Sequence, residues 1–328
     1  MKLYQKYLVL LIIVLIFLSA YFYKKNEQDY INRVHTVLLN LLNKQIEHEK
    51  TKAFNFAFSL SQNETLKSSI QNNKPQQGYM ILQEYMRTFE NFSGFKIHAQ
   101  ILTKDYVIFA RSWDNRDAGL SVKQYRPDLQ EIKKDKHPHI SFEAARKLVL
   151  IASIPIVGKN DNVIGFIEVI RRFQSLEKYF RNYDIDMMVL LDTKYEKQAV
   201  LLNKNPRIQN MIVANDGANV EHIKKLQQRG LSQLLQQGQL NGDKHYYFSR
   251  AILNNNHEVI GYFILIISKK KLKLFRAFES DLDNVFTYAR KDLYNLMIKN
   301  SDTSQKYSCL QNLQQRTKST TIVRGKIK

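Results

Sequence analysis

Ser153 to Ile170 reads SIPIVGKNDNVIGFIEVI, and Ser249 to Ile266 reads SRAILNNNHEVIGYFILI. In each, an apolar run enters a turn of Asn, Asp, Gly or His residues and leaves through Val-Ile-Gly-aromatic into a second apolar run, the pattern of a β-hairpin. Asn160, Val163, Ile164 and Gly165 stand 96 residues before Asn256, Val259, Ile260 and Gly261. A Val-Ile-Gly-aromatic match alone arises cheaply by chance. Joined to an Asn-rich turn and a preceding strand, it predicts two tandem copies of one β unit.

Working outward, Phe95 to Leu102, Asp105 to Trp113, Leu148 to Val157 and Val163 to Ile170 read as strands. Upstream, Ile31, Val34, Leu38, Leu41, Leu42, Ile46, Ala53, Phe56 and Leu60 recur at spacings of three and four, which predicts a long amphipathic helix from Asn26 to about Leu60. Its stripe suits packing against the adjoining domain at least as well as a dimerising coiled coil, because it contains aromatics and lacks regular flanking charges. Downstream, Phe275, Phe278, Leu282, Val285, Ala289, Leu293 and Leu296 line one face of a second helical stretch. The expected fold is α+β: an anchor at 1–25, a helical stalk at 26–94, a membrane-distal lobe at 95–182, a membrane-proximal lobe at 183–268, a C-terminal helix at 269–300 and a disordered basic tail at 301–328.

The anchor rests on Tyr7 to Tyr23, an uncharged run rich in Leu and Ile with tyrosines at both borders. It lies at the short limit for a span. A cleaved signal peptide competes weakly at Leu18-Ser19-Ala20, but the apolar run exceeds a usual signal core. Lysines flank both sides almost equally, so charge does not orient the chain. The next apolar candidate, Val259 to Ser268, is about half of what a spanning helix needs and reads as a buried strand.

With 50 Lys plus Arg against 30 Asp plus Glu, the net charge is +20. Most of the excess sits at the two ends, and the central chain intersperses both signs, the pattern of a solvated surface rather than a phosphate-binding face. No nucleic-acid-binding motif is present, and nucleic acid is not an expected partner. Cys309, the lone cysteine, excludes a disulfide framework and Cys-rich zinc patterns. His137-Pro138-His139 is the only close histidine pair, but Lys133, Lys134 and Lys136 disfavour a cation there, so neither a metal nor another cofactor is expected. Nucleophile-elbow, metalloprotease, dinucleotide and Walker motifs are absent, so the chain is not expected to be an enzyme. Asp184 and Asp186, two apart on a strand, would share a face and read as a hydrated strand start rather than an acid/base couple.

FKIHAQILTKDYVIFARSW at 95–113, the Asp117, Gly119 and Leu120 that follow, nearby Arg126, and IPIVGKNDNVIGFIEV at 154–169 together resemble the double Cache sensor domains. The nearest subgroup is the double sensory domain of two-component kinases and chemoreceptors. The likeness spans about Gln28 to Ser268 and is strongest over 95–181. It implies two PAS-like lobes on a long helix and an extracytoplasmic ligand-sensing role. It also implies a single-pass protein of the bacterial inner membrane whose lobes lie in the periplasm. The family plan usually continues into a second span and an output module; none is legible after Ser268, so output is expected through a homodimer or a signalling partner protein.

Strand alternation puts Val107, Phe109, Arg111 and Trp113 on one face, and Glu168 with Ile164, Phe166 and Ile170 on another. A buried guanidinium wants a carboxylate, and Glu168 stands where the repeat has Ile264. Arg111, Trp113, Arg126, Glu143 and Glu168 are therefore the candidate ligand-binding residues, suited to a small ionic or zwitterionic metabolite. The competing reading is an internal Arg111–Glu168 salt bridge, with Arg126 and Glu143 on the surface. The alternative functions are a non-signalling envelope scaffold and an exported hydrolase.

Overall fold

The computed structural model describes residues 3–275 apart from 95, 125, 127, 159 and 160. The expected tail at 301–328 and the expected C-terminal helix beyond Phe275 lie outside the described residues. Helix α1 (Leu3–Ser61) runs unbroken through the predicted amphipathic stretch. Asn63 then caps α2 (Glu64–Gln71) by accepting the Leu66 N–H at 2.9 Å, while Pro75 opens α3 (Pro75–Ser93) and Gly94, at φ 68°, closes it.

The first sheet comprises β1 (His98–Thr103), β2 (Ile108–Arg111), β3 (His139–Ala144), β4 (Leu148–Val157) and β5 (Val163–Arg171), ordered β2-β1-β5-β4-β3 and antiparallel throughout. Helix α4 (Asp128–Asp135) covers one side of it. Helix α5 (Gln174–Arg181) carries the chain to the second sheet: β6 (Ile185–Asp192), β7 (Arg207–Ile208), β8 (Met211–Val213), β9 (Gln239–Asn241), β10 (His245–Leu253) and β11 (Val259–Ser268), ordered β7-β8-β6-β11-β10-β9. Helices α6 (Val220–Arg229) and α7 (Ser232–Gln237) pack on its outer side, and α8 (Lys269–Phe275) leaves from β11.

The stripe on α1 is spent on this chain's own cores. Ile31, Val34, Leu38, Leu42 and Ile46 join the core shared with the second sheet, while Ala53, Ala57 and Leu60 join that of the first. Each fully buried Leu or Ile there contributes roughly 1.5–3 kcal/mol, enough to make α1 the spine of both lobes. The Tyr7 to Tyr23 stretch continues this helix, and every described residue from Leu10 to Tyr23 is exposed. Among the described residues, no helix is long and apolar enough to cross a membrane; residues 8 and 9, which belong to the apolar run, have side chains outside the described set.

The 96-residue repeat is a repeat of register. Ile156 pairs with Gly165 and Ile252 with Gly261; Val157 then pairs with Val163 and Leu253 with Val259. Ile164 and Ile260 are thus left as the extra residues of equivalent β-bulges. A Cβ at Gly165 would run into the Leu102 carbonyl oxygen, and one at Gly261 into the Leu190 carbonyl oxygen. The Val-Ile-Gly motif therefore supplies a bulge and then the one residue that lets the neighbouring strand close in.

A third bulge overturns one expectation. Ile101 pairs with Ala110 but Leu102 pairs with Ile108, so Phe109 is extra and the alternation of β2 reverses across it. Phe109 packs with Ile101 and Ala110 on the α1 side, whereas Arg111 lies on the α4 side. Trp113 falls beyond the strand. Ile164, likewise a bulge residue, packs on the α1 side rather than with Phe166. Asp184 precedes β6 at φ 54°, so it and Asp186 do not share a strand face.

Candidate functional site

On the α4 side of the first sheet, register aligns Arg111 of β2, Gln100 of β1, Glu168 of β5 and Ser153 of β4 in one cross-strand row. All four are at most 8% exposed. Polar groups held this far from water need partners, and here each finds one in the row or above it. Arg111 Nε donates to Gln100 Oε1 at 3.0 Å, Gln100 Nε2 donates to Glu168 Oε2, and Ser153 Oγ donates to Glu168 Oε1 at 3.0 Å.

Arg126, in the segment entering α4, descends onto this row. Its Nη1 pairs with Glu168 Oε1, and its Nε and Nη2 fork onto Asp128 at 2.9 and 2.6 Å, a bidentate geometry that fixes the guanidinium plane. Nη2 also reaches Ser153 Oγ at 3.0 Å. Burial pulls the Arg126 guanidinium down, but Glu168 and Asp128 outweigh it and hold the group above the usual arginine range. Arg111 shows the opposite balance: burial lowers it, and Asp117, which pairs with its Nη1, recovers only part of that. Asp117 also accepts from Arg146 Nη1 at 2.9 Å, and the Arg111 guanidinium lies 5.2 Å from the Trp113 ring centroid. The ring of Trp113 meets His98 edge-on at 4.8 Å. Glu143 lies half-buried on β3, where burial raises its carboxyl against a 2.6 Å hydrogen bond from Ser141 and the charge of Arg126.

Of the five predicted residues, Arg111, Arg126 and Glu168 thus belong to one hydrogen-bonded network, Trp113 stacks on its rim, and Glu143 stands within the field of Arg126. The expected direct Arg111–Glu168 salt bridge is replaced by a relay through Gln100, and Arg126 is buried rather than on the surface. Gln100, Asp128 and Ser153 escaped the sequence reading, and Asp117 entered it only as part of the family resemblance, not as a site residue. Gln100 and Ser153 had a faint signal, a lone polar residue at an inward position of an apolar strand. His137 and His139 both turn to Asp135, through its carbonyl oxygen at 2.7 Å and its carboxylate at 3.7 Å respectively.

The second sheet answers this row with hydrocarbon. Ile264 pairs with Ser249 as Glu168 pairs with Ser153, and its other neighbour is Met188 where Glu168 has Gln100. Met188 and Ile264 are buried in the core under α6 and α7. The charged network is therefore a property of the first lobe alone, and it sets three guanidinium groups (Arg111, Arg126, Arg146) against three carboxylates (Asp117, Asp128, Glu168). Such a balanced cluster exerts little long-range pull but can exchange partners with an ion that carries both signs.

Two sheets of one register on a shared helical spine, one of them with a charged interior, define a double-lobed sensory module. The chain belongs to the family described as the double sensory domain of two-component sensor kinase, a double Cache family, whose model matches residues 31–272. Domains of this family are ligand-binding, extracytoplasmic parts of membrane sensors. No curated protein matches the chain. Solved structures similar in fold include the sensor domain of the Vibrio cholerae histidine kinase DctB, with 12% identity, 75% of this chain and 96% of that one covered, and a TM-score of 0.42. A domain of a sensory box/GGDEF family protein from Vibrio parahaemolyticus has 11% identity, coverage of 75% and 98%, and a TM-score of 0.47. The periplasmic domain of Vibrio cholerae LuxQ has 11% identity, coverage of 72% and 98%, and a TM-score of 0.40.

Proposed function

We propose that this protein senses a small ionic or zwitterionic metabolite at the charged row of the first lobe, and passes the binding event to a partner through its helices. The observation that carries the reading is Glu168, a fully buried carboxylate with Arg126, Gln100 and Ser153 around it, at the position where the second lobe has Ile264. An apolar sheet would be simpler to fold, because replacing a buried ion network by hydrocarbon is often neutral or stabilising. Retaining it in one lobe of two gives that lobe the means to recognise charge.

Arg111, Trp113 and Arg126 provide the binding groups, Glu168 and Asp128 position Arg126, and Glu143 faces the same field. The row is closed in this structure, so ligand entry requires the 112–127 segment, which carries Asp117 and Arg126, to exchange its internal pairs for pairs with the ligand. A ligand couples to output only by binding one arrangement of that segment better than the other. The exposed apolar start of α1 supports membrane anchorage, membership of an extracytoplasmic sensor family supports lobes outside the cytoplasm, and α1 would convey the change.

A thermal-shift titration of the full-length chain against charged metabolites tests this. A stabilising compound should lose its effect in Arg111→Ala and in Trp113→Ala. Ligand-induced stabilisation that persists in both variants overturns the site, and a stable co-purifying protein with no small-molecule response favours an envelope scaffold instead.

A further inference from the structure

A second concentration of charge lies where the chain leaves the first sheet for the second lobe, away from the row described above. β1 and β5 pair from Thr103 with Gly165 down to His98 with Ile170. Just beyond the end of that ladder, Lys96 and Arg172 line one cavity. Like charges around one small cavity repel, and among the described residues neither has an ion-pair partner. Arg171, beside them, is 7% exposed; its Nη2 pairs with Glu49 of α1, but its buried Nε has no hydrogen-bond partner. Helix α5 begins two residues after Arg172 and has no side-chain cap, so the N–H groups of its first turn and the positive end of its dipole add to the same place.

These groups surround a cavity of about 120 Å³ lined by Gly94, Lys96, Arg171, Arg172, Gln174 and Ser175. Glu49 already neutralises Arg171 and accepts from Ser175 Oγ at 2.9 Å, while Glu177, in the first turn of α5, meets Arg181 at 4.0 Å, so the cations without a carboxylate partner here are Lys96 and Arg172. The surplus is felt nearby, since the His98 imidazole is pushed down to about 4, first by burial and then by Arg172 and Lys96. Two cations without a carboxylate partner, the Arg171–Glu49 pair beside them and an uncapped helix around one cavity leave a site suited to an anion.

We propose that this cavity binds a small oxyanion, a phosphate, sulfate or carboxylate group, which bridges Lys96 and Arg172, caps α5 and so locks the junction between the first sheet and the helix leading to the second lobe. Free anions are the source in reach. Glu49 stands on α1 roughly 39 Å of helical rise beyond Tyr23, which keeps the cavity far from any headgroup layer at the apolar end of that helix.

The test is calorimetric and thermal titration of the full-length chain in detergent with inorganic phosphate, sulfate and acetate, against chloride at matched ionic strength. At least one oxyanion should bind and raise the melting temperature. Lys96→Gln and Arg172→Gln, both at exposed positions, should each weaken it at least tenfold. Neither should lower the melting temperature without anion, because each relieves a repulsion. Arg111→Ala should leave the anion response unchanged, which separates this site from the metabolite row. No oxyanion effect beyond chloride, or an effect that survives both Gln variants, overturns the proposal.

Discussion

Arg126 and Glu168, 42 residues apart, form an ion pair in which the arginine is 6% exposed and the glutamate wholly buried. The pair ties the segment entering α4 to the middle strand of the first sheet, and Asp128 holds the same guanidinium from its other edge. Removal of the arginine alone would leave two carboxylates away from water. Arg126→Met should therefore cost about 3–5 kcal/mol of stability in urea denaturation. Adding Glu168→Ile and Gln100→Met, which copies the Ile264 and Met188 arrangement of the second lobe, should recover much of that loss. Recovery of nothing would show that the network does not behave as one unit.

The bulge glycines are expected to resist the smallest change. Gly165→Ala and Gly261→Ala each put a methyl group against a neighbouring carbonyl oxygen, of Leu102 and Leu190 respectively. Each should destabilise by about 1–3 kcal/mol. Thermal melts of the two variants check this; a neutral Gly261→Ala would mean that β6 and β11 can move apart freely.

His98 makes stability depend on pH in a stated direction. Its folded value of about 4 lies below the 6.5 of a free imidazole, so the unfolded chain binds the extra proton. Its contribution is fully present above pH 6.5 and is lost as pH falls toward 4. An NMR titration should find the His98 ring neutral at pH 6. Because Arg172 and Lys96 are among the causes, Arg172→Gln should move its midpoint upward, and an unmoved midpoint would place that charge elsewhere.

The exposed apolar start of α1 yields a membrane prediction. With Leu15 and Ile16 among its exposed residues, the paired change Leu15→Arg and Ile16→Arg should shift the protein from the membrane fraction to the soluble fraction. Retention of the double variant in membranes would locate the anchorage elsewhere.

Much of the architecture was legible because it is written in local periodicity. The two hairpins announced themselves through matching turns and the Val-Ile-Gly step, and the α1 stripe through its three-and-four spacing. The stripe did not reveal its own partner: Leu38 and Ala53 face this chain's cores, a choice made by how the sheets stack. The site was legible in part. Arg111 and Glu168 stood out as charges within apolar strands, but their connection through Gln100 depends on which strands become neighbours. Phe109 defeated simple alternation, because one inserted residue reverses every side chain beyond it and leaves no mark in composition.

By itself, then, the sequence determined the elements and their order: a helical spine, a repeated hairpin, and a carboxylate in one copy where the other has isoleucine. Each of these follows from interactions within a few residues or from comparing one stretch with another. Tertiary structure alone decided which arginine meets Glu168, that Asp128 shares it, and that Lys96 and Arg172 line one cavity. Those outcomes depend on strand register and on the path of the chain into α4 and α5, because a charge finds its partner by distance in space and not by separation along the chain.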